Sequence, residues 1–269
     1  MNIIKESDAV LGVFGDDYAK CNAMRIKLVD DSVILVCGLR TSFNTFFDVY
    51  YAAIPVFSYF DTRRTFLNNA IAFDARFELG CKTPQFFLIN PGPDETDAIV
   101  NAVSACAKWA FDQLEGIASL DDCLAFYEEK RKKGFPLNLA MREHIDMLLF
   151  RREFDGLKAL LENDLFIGIK RIFGEHNVEF PKDGNWQRFL PPDEHTENKF
   201  AHELFWARNK SYWSKIRLPL AQGEYYKLCE ELALDYQKNK KRLKKLGMPV
   251  GEKMDIMMEE LMASIENKQ

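Results

Sequence analysis

Four histidines and six cysteines are the residues of this 269-residue chain from which catalytic and metal sites are most readily built, and their spacing favours neither. His195 and His202 stand about two helical turns apart with Glu194 and Glu203 beside them, so a helix here would offer two imidazoles on one face. Helix-borne zinc pairs favour i, i+4, and no H-E-x-x-H or matched Cys pair accompanies them, so no metal is expected. His144 shares an apolar helical face with Met141, Ile145 and Leu148, which reads as a core edge ahead of a general base. His176 falls in a loop. There is no G-x-S-x-G turn and no local Cys/His arrangement that specifies a nucleophile. Leu11-Gly12-Val13-Phe14-Gly15-Asp16-Asp17 lacks the third glycine and the Lys-Ser/Thr of a phosphate loop; a turn is expected there, and no cofactor.

Two groups of residues could bind rather than react. Period-two alternation puts Asp48 and Tyr50 on one side of a strand and Asp74 and Arg76 on one side of the next, with Arg40 near them if the strands pair in register. On a polar sheet face such a set could hold a small polar or anionic ligand, the guanidinium supplying a planar fork and the tyrosine an aromatic wall. Ordinary cross-strand charge pairing would use the same residues. The second group is an aromatic-basic helix containing Phe200, Phe205, Trp206, Arg208, Lys210, Tyr212 and Trp213, of which Trp206, Tyr212 and Trp213 are the candidate interface. Phe200, Leu204 and Ala207 recur on it as a core stripe would.

The elements that must carry these residues follow from the hydrophobic pattern. Met24 to Leu88 is period-two or continuously apolar, with Asp30-Asp31-Ser32 as the turn of a hairpin, Thr45 to Phe57 as a central strand ending near Pro55, and Ile71 to Leu79 alternating cleanly. A short run, Pro84 to Ile89, ends in Asn90-Pro91-Gly92-Pro93, the strongest break in the chain. Beyond it the period becomes 3.6: Ile99, Val103, Cys106, Ala110 and Leu114 form one stripe, and Ser119-Leu120-Asp121-Asp122 resembles a capping box. Short amphipathic helices are expected over 138–173, a loop over about 174–192, and helices again from Asp193. The fold class is therefore α+β: an antiparallel sheet of four or five strands backed by helices in 1–133, then a helical region, 134–269, as a second domain or an extension.

In the last third, Tyr225, Cys229, Leu232, Tyr236, Asn239, Leu243 and Leu246 repeat at alternating spacings of four and three, with the polar Asn as a register-setting core residue. The seam can close on the apolar stripe of Met254, Met257, Met258, Leu261 and Ile265 as a hairpin, or on a second copy as a homodimer through the C-terminal helices. Lys238, Lys240, Lys241, Arg242, Lys244 and Lys245 follow one another without an acid. They would steer an anionic partner, or be the solvated end of a helix closed by Gly247.

Composition bounds what all this can mean. The chain is 47% hydrophobic and 29% charged with a net charge of -5, the profile of a folded protein and not of a disordered one. The cysteines, scattered and partly in apolar runs, read as reduced thiols, and an acidic N-terminus without an apolar core offers no secretory signal. A cytoplasmic location is expected. The longest uncharged apolar run, Val49 to Phe57, is too short to span a membrane.

The strand run Thr45-Phe46-Phe47-Asp48-Val49-Tyr50-Tyr51, the alternating run Ala72-Phe73-Asp74-Ala75-Arg76-Phe77, and Phe111-Asp112-Gln113-Leu114-Glu115 followed by Ser119-Leu120-Asp121-Asp122 carry a resemblance. The layout of residues 1–133 resembles a family of small bacterial domains of unknown function, with an antiparallel sheet and a C-terminal helix pair. The resemblance implies a fold and no activity. On the residues themselves, a binding or protein-interaction module without catalytic activity is the favoured reading. An enzyme with a dispersed site on the polar sheet face is the first alternative. An adaptor for nucleic acid or a membrane surface through Lys238–Lys245 is the second.

Overall fold

Asp30 and Asp31 both take left-handed φ, 46° and 55°, and the Ser32 N–H closes the turn on the Val29 carbonyl at 3.0 Å. Two consecutive positive φ values are what a tight hairpin turn demands, and a short polar side chain tolerates them best after glycine. The turn joins β2 (Met24–Val29) to β3 (Val33–Ser42), and β1 (Ala19–Cys21) pairs along the other side of β2. β4 (Phe46–Pro55) pairs with β3 from Val33↔Pro55 to Ser42↔Phe46. Its other side takes two two-residue strands, β5 (Phe73–Asp74) and β6 (Phe87–Leu88), which complete an antiparallel sheet. β4 is thus central, as its apolar character on both faces predicts. Proline ends it, where a missing N–H costs least.

The computed structural model describes residues 11–42, 46–60, 73–74, 87–88, 96–133 and 142–266. Most of the alternating run Ile71 to Leu79, including Arg76, and the Asn90–Pro93 break lie outside the described residues. Eight α-helices follow the sheet among them: α1 (Thr96–Leu114), α2 (Leu120–Lys132), α3 (Arg142–Phe150), α4 (Phe154–Glu175), α5 (Lys199–Asn209), α6 (Tyr212–Gln222), α7 (Tyr225–Lys245) and α8 (Glu252–Glu266). The chain is α+β, and none of these helices is long and apolar enough to cross a membrane. Ser119 caps α2 as expected: the Asp122 N–H donates to its Oγ at 3.2 Å, and its hydroxyl donates to the Asp122 carboxylate at 2.8 Å.

Two helix boundaries differ from the sequence expectation. Helix does not resume at Asp193 but at Lys199. The Asp193 and Thr196 side chains accept from the backbone N–H two residues on, at 2.8 and 3.2 Å, which holds the segment in local turns until Asn198 caps the helix. The aromatic-basic stretch is two helices, since Ser211 caps a new one by accepting from the Ser214 N–H.

Two compact units divide the chain, with boundaries inside α2, α3, α7 and α8. One comprises Met1–Glu128, Met141–Met147 and Leu232–Glu260. In it α1 packs on β4, Phe14 meets Tyr18 and Phe111 edge-on, and Tyr51 meets Trp109 and Phe126 in the same way. The Tyr127 hydroxyl ties α2 to the Ala53 carbonyl of β4 at 2.7 Å. In α7 and α8 the Tyr236 hydroxyl donates to Asp255 at 2.8 Å and Lys240 pairs with the same carboxylate, so the two helices form a hairpin within the chain. The other unit comprises Glu129–Ala140, Leu148–Glu231 and Leu261–Gln269. Its core is Ile169, Ile172 and Phe173 of α4, Leu204 of α5 and Trp186 from a 3-10 turn, with Val178, Phe180, Phe189 and Leu190 of the 176–198 loop packed on them.

Candidate functional site

The sheet residues expected to bind a polar ligand are brought together by register only in part. Arg40 of β3 stands opposite Asp48 of β4, and Tyr50 opposite Asp74 of β5; Arg76 lies outside the described residues. Tyr50 does not line a wet face. It is fully buried, opposite Gly38, and its ring occupies the space that a Cβ at Gly38 would need. A glycine across from an aromatic on neighbouring strands lets the ring lie flat on the backbone, a packing device that strand alternation alone does not distinguish from exposure.

The histidines do not converge. His195 is exposed in the loop before α5, while His202 is on that helix, so they do not share a helical face. His176 closes the C-terminus of α4, its Nε2 at 2.9 Å from a Glu203 oxygen. His144 is buried on α3, as an apolar helical face predicts.

On either side of His144 lies a cluster that the sequence did not point out. Arg142, Glu143 and Asp146 of α3 are joined by Asp235 and Lys238 of α7, all in the first unit. The Arg142 guanidinium donates to Asp235 at 2.8 Å and lies 3.4 Å from Asp146, while Lys238 donates to the other Asp235 oxygen at 2.8 Å. Glu143 and Asp146 are 1% and 3% exposed, and the Glu143 Oε2 has no hydrogen-bond partner. Burial pushes the Glu143 carboxyl up to about 8. Burial also raises Asp146, to about 7, against the pull of the adjacent Arg142. Nothing in the pattern R-E-H-I-D-M-L-L-F announces this, because charged residues at i and i+3 on a helix normally face water.

The candidate interface helix resolves into a pocket in the second unit. α4, α5 and α6 enclose about 140 Å3, lined by apolar Leu161, Leu165, Gly168, Ile172 and Ala207 and by polar Asp164, Arg171, Ser211, Ser214 and Arg217. Trp206 lines it too and is 53% exposed, while its helix neighbours Ala201 and Leu204 are buried. Asp164 is held by the Arg131 guanidinium at 2.9 Å, and Arg217 by Glu162 at 3.2 Å and by the Arg208 carbonyl at 2.8 Å. A Cβ at Gly168 would meet nothing within 4 Å, so the helix itself leaves the space open. Phe200 and Ala207 pack on the core as the stripe predicted, and Trp206 falls off that stripe. Tyr212 and Trp213 begin the next helix, α6.

The basic run of α7 is partly committed within the chain. Lys238 pairs with Asp235, Lys240 with Asp255, and Arg242 donates to the Phe60 carbonyl, whereas Lys241, Lys244 and Lys245 are exposed. No family model, curated protein or solved structure matches the chain, and its function has to be read from the geometry of its own residues.

Proposed function

We propose that this chain is a binding module that takes one apolar, ring-sized side chain of a protein partner into the pocket among α4, α5 and α6. The observation that carries the reading is Trp206, a large apolar side chain left 53% exposed on the rim of a pocket whose remaining apolar lining is helix core. Interface hot spots are enriched in tryptophan and in pockets of this kind. Size selects the occupant. At about 140 Å3 the pocket is smaller than the several hundred Å3 typical of small-molecule sites, and close to an engineered apolar cavity of about 150 Å3 that admits benzene. The polar lining groups already have partners, Asp164 in Arg131, Arg171 in Glu175, Arg217 in Glu162 and the two serines in backbone carbonyls, which fits an occupant held mainly by burial. Catalysis is the weaker reading, since the acids with raised pKa, Glu143 and Asp146, are almost wholly shielded from any substrate.

Titration with N-acetyl-phenylalanine amide, followed by amide resonances of Gly168, Ala207 and Ser211, tests it. Saturable shifts in the millimolar range are expected in the wild type and their loss in G168L, whose side chain would occupy the pocket. Shifts unchanged in G168L, or none in the wild type, would reject the reading.

A further inference from the structure

The cluster on α3 contains more acids than its cations can neutralise. Two cations, Arg142 and Lys238, face three carboxyls, Glu143, Asp146 and Asp235, and both cations are already placed on Asp235 or Asp146. Among the described residues Glu143 has no ion pair of its own, and its Oε2 is unpartnered at 1% exposure. Burial outweighs what favours its ionised form, a backbone N–H and the neighbouring Arg142 charge, while Asp146 of its own helix repels it and Cys123 and Tyr127 of α2 feel its charge as an unfavourable neighbour. Around Asp146 stand Arg142, Asp235 and the Ser58 hydroxyl, and the Arg142 guanidinium lies over the Tyr59 ring. An ionised carboxylate buried without an ion pair and with one oxygen unpartnered is costly, so the group keeps its proton or the surrounding structure opens.

We infer that Glu143 is a proton latch: it is a neutral acid in the folded first unit, and its ionisation frees the N-terminal turn of α3, residues 142–147, from α2, the 56–60 loop and α7. A single proton balances the cluster, leaving Asp146 and Asp235 against Arg142 and Lys238. Loss of that proton places a third negative charge in a buried site without an ion pair for it, and water reaches Glu143 when this turn lifts. The site lies in the first unit and does not depend on the pocket proposed above.

Two measurements on the full chain test this. Infrared spectra with 13C-labelled glutamate should show a protonated carboxyl band at neutral pH that disappears under alkaline conditions and is absent from E143Q. Hydrogen exchange of residues 142–147, corrected for the intrinsic pH dependence, should lose at least tenfold in protection between about pH 7 and pH 9.5 in the wild type and stay level in E143Q. A wild type without the labelled band, or protection that falls equally in E143Q, overturns the proposal. If E143Q does not fold, D146N takes its place. In D146N two carboxyls remain against two cations, and the burial of the unpartnered Glu143 should still hold its proton, so the band and the protection loss should persist there; their disappearance would reject the assignment to Glu143.

Discussion

Asn239, in the middle of α7, donates its carboxamide to the Val56 carbonyl at 2.9 Å and also to that of Ser58, in the chain just beyond β4. All three residues are buried, so these carbonyls have no access to water once the helix is in place. N239A should therefore cost about 1–3 kcal/mol, the penalty for leaving buried acceptors unmade. A urea midpoint that falls with the slope unchanged is the expected outcome; a midpoint equal to wild type would show the contact to be dispensable.

Tyr50 and Gly38 make a second dependency of this kind. Because the Tyr50 ring stands where a Cβ at Gly38 would go, G38A forces a fully buried aromatic to move. Overpacking of this type costs about 1–3 kcal/mol. The hydroxyl is the nearest atom, with the ring carbon that bears it and Met24 Cγ close behind, so a Y50F background should relieve part of the cost of G38A, and a double-mutant cycle measures the coupling. Zero coupling would mean that the ring and the glycine do not limit each other.

What could be read in advance follows the range of the interactions involved. The Asp30-Asp31 hairpin, the central β4, the Ser119 cap and the buried seam through Leu232, Tyr236, Asn239 and Leu243 rest on local rules of turn chemistry and periodicity, and the structure has them. Asn239 was legible as a polar core residue, but its partners lie about 180 positions earlier in the chain and no spacing rule reaches them. The same limit hid Glu143 and Asp146. Their helix looks amphipathic in isolation, and only packing against other segments turns its polar side inward. Trp206 stood out by residue type, whereas the pocket beside it depends on Gly168 from another helix.

In that pocket, stability and binding should separate. Leu161 is fully buried on α4, so L161A should cost about 2–5 kcal/mol. W206A removes a half-exposed ring and should change stability by far less, while abolishing the shifts produced by N-acetyl-phenylalanine amide. G168A, which meets no neighbour within 4 Å, should stabilise α4 by roughly 0.5–1 kcal/mol through helix propensity. Thermal melts of the three variants give the order L161A, W206A, G168A from least to most stable. Any other order would place Trp206 in the core or Gly168 against a neighbour.

The pH profile of global stability follows from the same two buried acids. Glu143 is raised from 4.5 to about 8 and Asp146 from 3.8 to about 7, so the folded chain keeps protons that the unfolded chain has already released. Where the unfolded state binds fewer protons, stability falls as pH rises, by at most about 1.4 kcal/mol per pH unit for each group. The fall begins near the unfolded values, around pH 4 to 5, and is complete once pH passes the folded ones, so none of it recurs above about pH 9. Gln at position 143 has no proton to lose and keeps the shape of the acid. E143Q should equal the wild type near pH 4 and exceed it by a few kcal/mol at pH 9. Urea denaturation across that range reads the difference, and two parallel curves would mean that Glu143 ionises in the folded chain as freely as in the unfolded one.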